Sequence, residues 1–128
     1  MQIIPLIDEK YLLREGDKLA VAIINVPLSG LFVETLRGFS KGVGIDADIG
    51  GCDFWEDVME YDPNRTDRFD GIEFYSCLDD RVVLSFEDTY YYMRIASKNY
   101  IQLYPEDAAE VEELLAAYRK RFNIGEKG

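Results

Sequence analysis

Hydrophobic and polar positions along the chain switch repeatedly between a period of two and a period near 3.6. Residues 3–7 are apolar but broken by Pro5, which predicts an edge strand or an extended lead-in. Residues 19–26 read LAVAIINV, apolar and β-branched. They predict a buried strand, with a helical segment as the competing reading. Pro27 suits a helix start, and Leu28, Leu31, Phe32, Leu36 and Phe39 recur at helical spacing. Gly38, Gly42 and Gly44 end that helix. Periodicity then weakens over residues 45–70. A short helix is predicted over 54–61, with Asp53 as N-cap and Glu56 three residues on. Pro63 and Asn64 mark a turn.

Residues 71–77 alternate, with Ile72, Phe74 and Ser76 on one face and Glu73, Tyr75 and Cys77 on the other. A turn through Asp79 and Asp80 leads to RVVL at 81–84, so the pair reads as a β-hairpin. Ser85 followed by Asp88 resembles a capping box, opening a helix whose apolar face holds Phe86, Tyr90, Met93, Tyr100 and Leu103. Tyr104-Pro105 ends it, and Pro105 starts another. Glu106 and Asp107 lie at the start of that last helix and Arg119, Lys120 and Arg121 at its end, as the helix dipole prefers. Its stripe is Val111, Leu114, Leu115, Tyr118 and Phe122, and residues 124–128 are expected to fray. The whole predicts an α+β fold, one domain over residues 1–128. Three or four helices pack on a small antiparallel sheet that includes a hairpin near 71–85.

At 128 residues with 48% apolar content, one domain with a real core is the natural expectation. The longest apolar run is too short to span a bilayer. The first nine residues hold neither a basic region nor a long apolar one, so no signal peptide is read and a cytoplasmic protein is expected.

Charge changes the picture more. The chain has 25 acids, 14 bases and a net charge of −11. Residues 1–41 and 94–128 are each neutral. Residues 42–93 hold fourteen acids against Arg65, Arg68 and Arg81, which is the entire −11. Within them, residues 43–64 hold seven acids and no base. One reading is a solvated, solubilising surface. The other is a surface for a strongly basic partner. A field of this sign repels phosphates, which argues against direct nucleic-acid binding and against anionic membranes.

The chain has no histidine, so Ser-His-Asp and Cys-His chemistry and histidine metal sites are excluded. Cys52 and Cys77 are too few for a thiolate zinc site and read as reduced, buried, small apolar residues, with a disulfide between them as the alternative. An EF-hand reading from Asp46 places Asp48 at position three, Gly51 at six and Asp57 at twelve. It lacks a carboxylate at five and the glutamate at twelve, so an acidic glycine-rich loop is the expectation. No phosphate-binding glycine motif and no G-x-S-x-G context occurs. No cofactor, metal or catalytic group is expected, and the chain does not read as an enzyme.

Aromatic residues are more informative. Tyr90, Tyr91 and Tyr92 sweep about 200° of a helix, so at least one lies near the surface. Trp55 sits among Asp53, Glu56 and Asp57, and Tyr75 shares a strand face with Glu73. Tyrosine and tryptophan among carboxylates suit protein–protein recognition. They also suit core-edge packing with a wet polar tip.

Three segments carry a resemblance. They are GFSKGVGIDADIGGCDFWED at 38–57, FDGIEFYSCLDDRVVLSFEDTYYYM at 69–93, and IQLYPEDAAEVEELLAAYRKRF at 101–122. Together they resemble immunity proteins of bacterial contact-dependent growth inhibition systems, in particular those paired with ribonuclease toxins. The shared pattern is a glycine-rich stretch leading to Cys52-Asp53-Phe54, then the strand Gly71-Ile72-Glu73-Phe74. A second short strand, an aromatic-rich helix and a Pro-Glu-Asp helix start follow. Residues 1–37 carry none of it. The resemblance implies a cytosolic antidote that binds a toxin domain and covers its basic active-site or RNA-binding surface. It carries over no fixed binding residues. The charge pattern therefore selects the partner-binding candidates: Asp46, Asp48, Asp53, Glu56, Asp57, Glu60, Asp79 and Asp80, with Trp55 and Tyr75 as anchors. The alternative is a nucleic-acid mimic that inhibits a DNA-binding protein such as a restriction enzyme. That function needs acids along a rod, whereas these are confined to the middle of the chain. An enzyme or small-ligand module without a visible motif is the third class.

Overall fold

The computed structural model describes residues 6–25, 32–47 and 50–125. Five helices and four strands follow one another: α1 (Lys18–Asn25), α2 (Phe32–Ser40), β1 (Ile45–Ala47), β2 (Gly50–Asp53), α3 (Trp55–Tyr61), β3 (Ile72–Ser76), β4 (Arg81–Leu84), α4 (Phe86–Leu103) and α5 (Ala108–Arg121). The strands form one antiparallel sheet in the order β1-β2-β3-β4. The α+β architecture and the 71–85 hairpin are as the sequence predicts.

The register divides the sheet into two chemically different faces. Ile45, Cys52, Phe74 and Val82 stand opposite one another in one row, with Ile72 opposite Leu84 further along. Of these, Cys52, Phe74, Ile72 and Leu84 are fully buried. Helices α1 and α4 pack against this side, and α5 and α2 stack behind α4. The other face carries Asp46, Gly51, Tyr75 and Arg81 in one row and Asp53, Glu73 and Val83 in the next.

Residues 18–25 form a helix, which corrects the strand predicted over 19–26; Val26, Pro27, Leu28 and Leu31 lie outside the described residues, as do residues 3–5 of the lead-in and residues 126–128. Ala20, Val21, Ile23 and Ile24 are buried while Lys18 and Ala22 are exposed. That is the i, i+3, i+4 pattern of a helix laid on a sheet. A continuous apolar run cannot decide between a buried strand and a buried helix. Among the described residues the sheet is made of the four antiparallel strands, and residues 18–25 are not part of it. α1 covers β3 and β4 instead, which makes five α-helices among the described residues.

Helix α2 ends as its glycines predict. The Val43 N–H donates to the Gly38 carbonyl (2.9 Å) and the Gly42 N–H to that of Phe39 (3.0 Å), with Gly42 at φ +74°. This is the left-handed C-terminal cap that glycine adopts without steric cost. Ser85 caps α4 by accepting from the Asp88 N–H (3.0 Å). The buried face of α4 is rotated from the predicted one. Thr89, Tyr92, Met93, Ala96, Ser97 and Tyr100 are buried, Phe86 and Tyr90 are half-buried, and Leu103 is exposed. Tyr92 accounts for the rotation. Its hydroxyl donates to Asp17 (2.6 Å) and accepts from the Leu13 N–H (2.8 Å). Asp17 is buried and also receives Arg14 at 3.0 Å. Polar groups buried in this way are satisfied by one another, and they strap residues 11–17 onto α4. Cys52 is buried and its thiol is pushed up to about 12 by burial. Cys77 is exposed at the β3–β4 turn, which corrects its predicted burial; both thiols are free.

Candidate functional site

The face of the sheet turned away from α1 and α4 is bordered by α3 and the segment 62–70. An open cleft of about 580 Å³ lies in it, lined by Gly44, Ile45, Asp46, Cys52, Asp53, Asp57, Glu60, Tyr61, Tyr75 and Arg81. Five of the ten partner-binding candidates line this cleft: Asp46, Asp53, Asp57, Glu60 and Tyr75.

Its floor depends on a missing side chain. At Gly51 a Cβ would lie 2.2 Å from the Ile45 carbonyl oxygen and 2.8 Å from the Tyr75 hydroxyl. Without it, Tyr75 lies across β2 and donates to Asp46 on β1 over 3.4 Å. On the opposite wall the Tyr61 hydroxyl donates to Asp53 (2.7 Å). Partial desolvation and then the adjoining carboxylates push both phenols up to about 12, Tyr75 half-buried and Tyr61 61% exposed, so both stay protonated donors at neutral pH. Burial raises Asp53 above the ordinary carboxylate value, opposed by the Tyr61 hydrogen bond.

The carboxylates differ in what they already hold. Asp57 is the third residue of α3 and reaches back to accept from the Phe54 N–H (2.8 Å) and from the Gly44 N–H (2.9 Å). The cap thus sits one residue later than predicted: Phe54, not Asp53, occupies the N-cap, and Asp57, not Glu56, reaches back. Glu56 and Glu60 are exposed on α3. Asp79 and Asp80 are exposed at the hairpin tip, with Asp79 at φ +72° and 3.4 Å from Arg81. Asp48 lies outside the described residues. Trp55 is half-buried, edge-on to Phe69 (5.4 Å between centroids), with the Arg65 and Arg68 guanidinium groups over its ring at 5.9 and 5.7 Å. It therefore anchors the 62–70 segment. Asp46 and Gly51 are paired across an antiparallel ladder, a geometry that rules out the EF-hand loop. Among the described residues no group of three potential ligands is placed to hold a metal.

Glu73 is the sharpest feature that sequence reasoning assigned only to a strand face. It is 5% exposed. Arg65 binds it twice, at 3.0 and 3.1 Å, and Arg81 once, at 2.9 Å. These bonds, Arg65 first, hold its carboxyl below the ordinary 4.5. A carboxyl whose native pKa is lowered contributes stability that is full above the unfolded value and lost as pH falls through the native one. Asp67, beside Arg65, is lowered in the same direction but is fully exposed, and Asp53 is shifted the opposite way. Glu73→Gln is therefore expected to melt below the parent at pH 7. The gap should narrow as pH falls below about 4.5, read by melting temperature from pH 7 to about pH 3. A constant gap across that range would remove Glu73 from the acid transition.

Among the described residues, no lysine or arginine stands within ion-pair distance of Asp46, Asp53, Glu56, Glu60 or Asp80. The face thus presents carboxylates that the chain does not itself neutralise, beside tyrosine and, at Val83, aliphatic surface that is 42% exposed. Tyr61 and Arg81 belong to this site although neither was singled out from sequence. The hydroxyl of one and the strand register of the other are the signals that place them. No helix among the described residues is long and apolar enough to cross a membrane.

Comparison with known families gives a match over most of the chain. The family described as CDI immunity protein matches residues 16–115 of the 128. No curated protein matches the chain.

Proposed function

The chain belongs to the CDI immunity protein family, whose members are inhibitors that bind and neutralise CDI toxins, and from that premise we propose that its target is a ribonuclease toxin domain. It acts in the cytoplasm and covers the basic active-site or RNA-binding surface of that domain with the acidic face of the sheet. The observation that carries the reading is the placement of Asp46, Asp53 and Glu60 on one cleft, with exposed Glu56 on the same helix as Glu60 and, among the described residues, no ion pair to any of the four. Carboxylates so placed stand in for the phosphates of RNA and steer a basic domain into contact. Asp79 and Asp80, exposed at the hairpin tip, add to the same field, and Trp55 and Tyr75 are the aromatic anchors of the surface; Asp48, the remaining candidate, lies outside the described residues. The family match makes the nucleic-acid mimic the weaker reading.

The test is RNA cleavage by the C-terminal domain of the large protein encoded just upstream, titrated with this chain. Complete inhibition at one equivalent is the expected result. Inhibition of cell growth by that domain without cleavage of RNA would retain an antidote and overturn the ribonuclease.

A further inference from the structure

The outer face of the sheet contains one arginine seat that the chain fills itself. Glu73 supplies the carboxylate, Phe69 and Trp55 the rings, and Arg65 sits between them, 5.5 Å from the first ring and 5.9 Å from the second. Directly across the ladder from Glu73 stands Asp53. It has the same kinds of neighbour, a second carboxylate in Asp46 and the aromatic side chains of Tyr61 and Tyr75, around an open cleft. Here no cation of the chain is seated among the described residues. Arg81 also lines the cleft, but its hydrogen bonds go to Glu73 (2.9 Å) and to Asp79 (3.4 Å), not to Asp46 or Asp53. A carboxylate offers about four lone-pair sites, and the hydrogen bond that Asp53 receives from a side chain is that of Tyr61.

Resting on the antidote reading, we propose that this cleft receives an arginine side chain of the toxin domain, held between Asp46 and Asp53 with Tyr61 and Tyr75 as its walls. A guanidinium fits the donor set better than an ammonium. Its planar fork can bridge carboxylates, it stacks on aromatic rings, and it is the more weakly hydrated cation. The adjoining Glu73 seat shows the same surface binding that group.

The test is the affinity of the full chain for the nuclease-inactive toxin domain. Asp46→Asn with Asp53→Asn removes both charges and keeps an acceptor for each tyrosine. Its dissociation constant is expected to rise at least about thirtyfold, from the cost of unpairing a buried charge pair. Glu112→Gln with Glu113→Gln, an equal charge loss at exposed sites on α5, is expected to change it less than about threefold. Among arginine-to-lysine variants of the toxin, one should reproduce the loss and add little to it when combined with the Asn pair. A melting temperature close to the parent's verifies that the Asn pair folds; if it does not, Asp46→Asn alone should still cost about tenfold. Equal losses in the two double variants, or no coupled toxin arginine, would overturn the seat and leave the antidote reading standing. No binding by the parent chain would overturn both.

Discussion

Phe54→Ala is expected to lower the unfolding free energy by about 4 kcal/mol, the range for truncating a buried aromatic. Phe54 is 1% exposed and stands where β2 gives way to α3. Its ring meets Phe39 of α2 edge-on at 5.7 Å and stacks on Phe86 of α4 at 6.2 Å and on Phe122, just past α5, at 5.6 Å. One side chain therefore joins three helices to the sheet from beneath the cleft. Small domains are stable by roughly 5–15 kcal/mol, so the loss is a large share of the total. The urea midpoint should fall while its slope holds. Phe54→Leu, closer in volume, should cost less than about 1.5 kcal/mol. A loss below about 1.5 kcal/mol for the alanine variant would show that the aromatic cluster does not join the layers.

The second large effect is on binding. Asp46→Lys combined with Glu60→Lys is expected to raise the dissociation constant for the toxin domain more than about a hundredfold at low salt. Like charges brought face to face cost several kcal/mol, and each 1.4 kcal/mol is tenfold. The difference should narrow at high salt, because screening shortens to a few ångströms, and much of it should appear in the association rate. These two positions are chosen because neither carboxylate holds the backbone, whereas Asp57 caps α3 and clamps Gly44. Folding stability should change by no more than about 0.5 kcal/mol per site. Parent-like affinity with an unchanged salt dependence would remove this cleft from the interface.

The local signals in the sequence located the elements whose fate is decided locally. Ser85 caps α4 because its hydroxyl finds the Asp88 amide three residues on. The hairpin follows from strict alternation around an Asp79-Asp80 turn. Residues 18–25 were not legible, since the six-residue apolar run Leu19–Ile24 satisfies either period and only its packing across β3 and β4 decides. The start of α3 reads from sequence as Asp53 with Glu56, whereas the structure uses Phe54 with Asp57. The second prevails because Phe54 enters the aromatic cluster and Asp57 also takes the amide of Gly44, thirteen residues away. The rotated face of α4 has a similar cause, a tyrosine that meets Asp17 across 75 residues.

The site was legible as charge and not as geometry. A block of seven acids without a base marks the surface. It does not tell Asp57, whose oxygen is committed to amides, from Asp46, whose carboxylate holds only a long bond from Tyr75. Nor does it reveal that Arg65 and Arg81, two of the three cations in the middle of the chain, are consumed by Glu73. Arg81 still lines the cleft, but its hydrogen bonds are made to Glu73 and Asp79, so the cleft carboxylates keep no ion pair among the described residues.

The central claim is that the toxin docks on the outer face of this sheet. Amide chemical-shift mapping of the chain with the nuclease-inactive toxin domain tests it most directly. The perturbed amides are expected to cluster in residues 44–47, 50–61 and 72–83, with α2 and α5 unperturbed. Perturbations confined to α2 and α5, with the cleft residues unmoved, would contradict it.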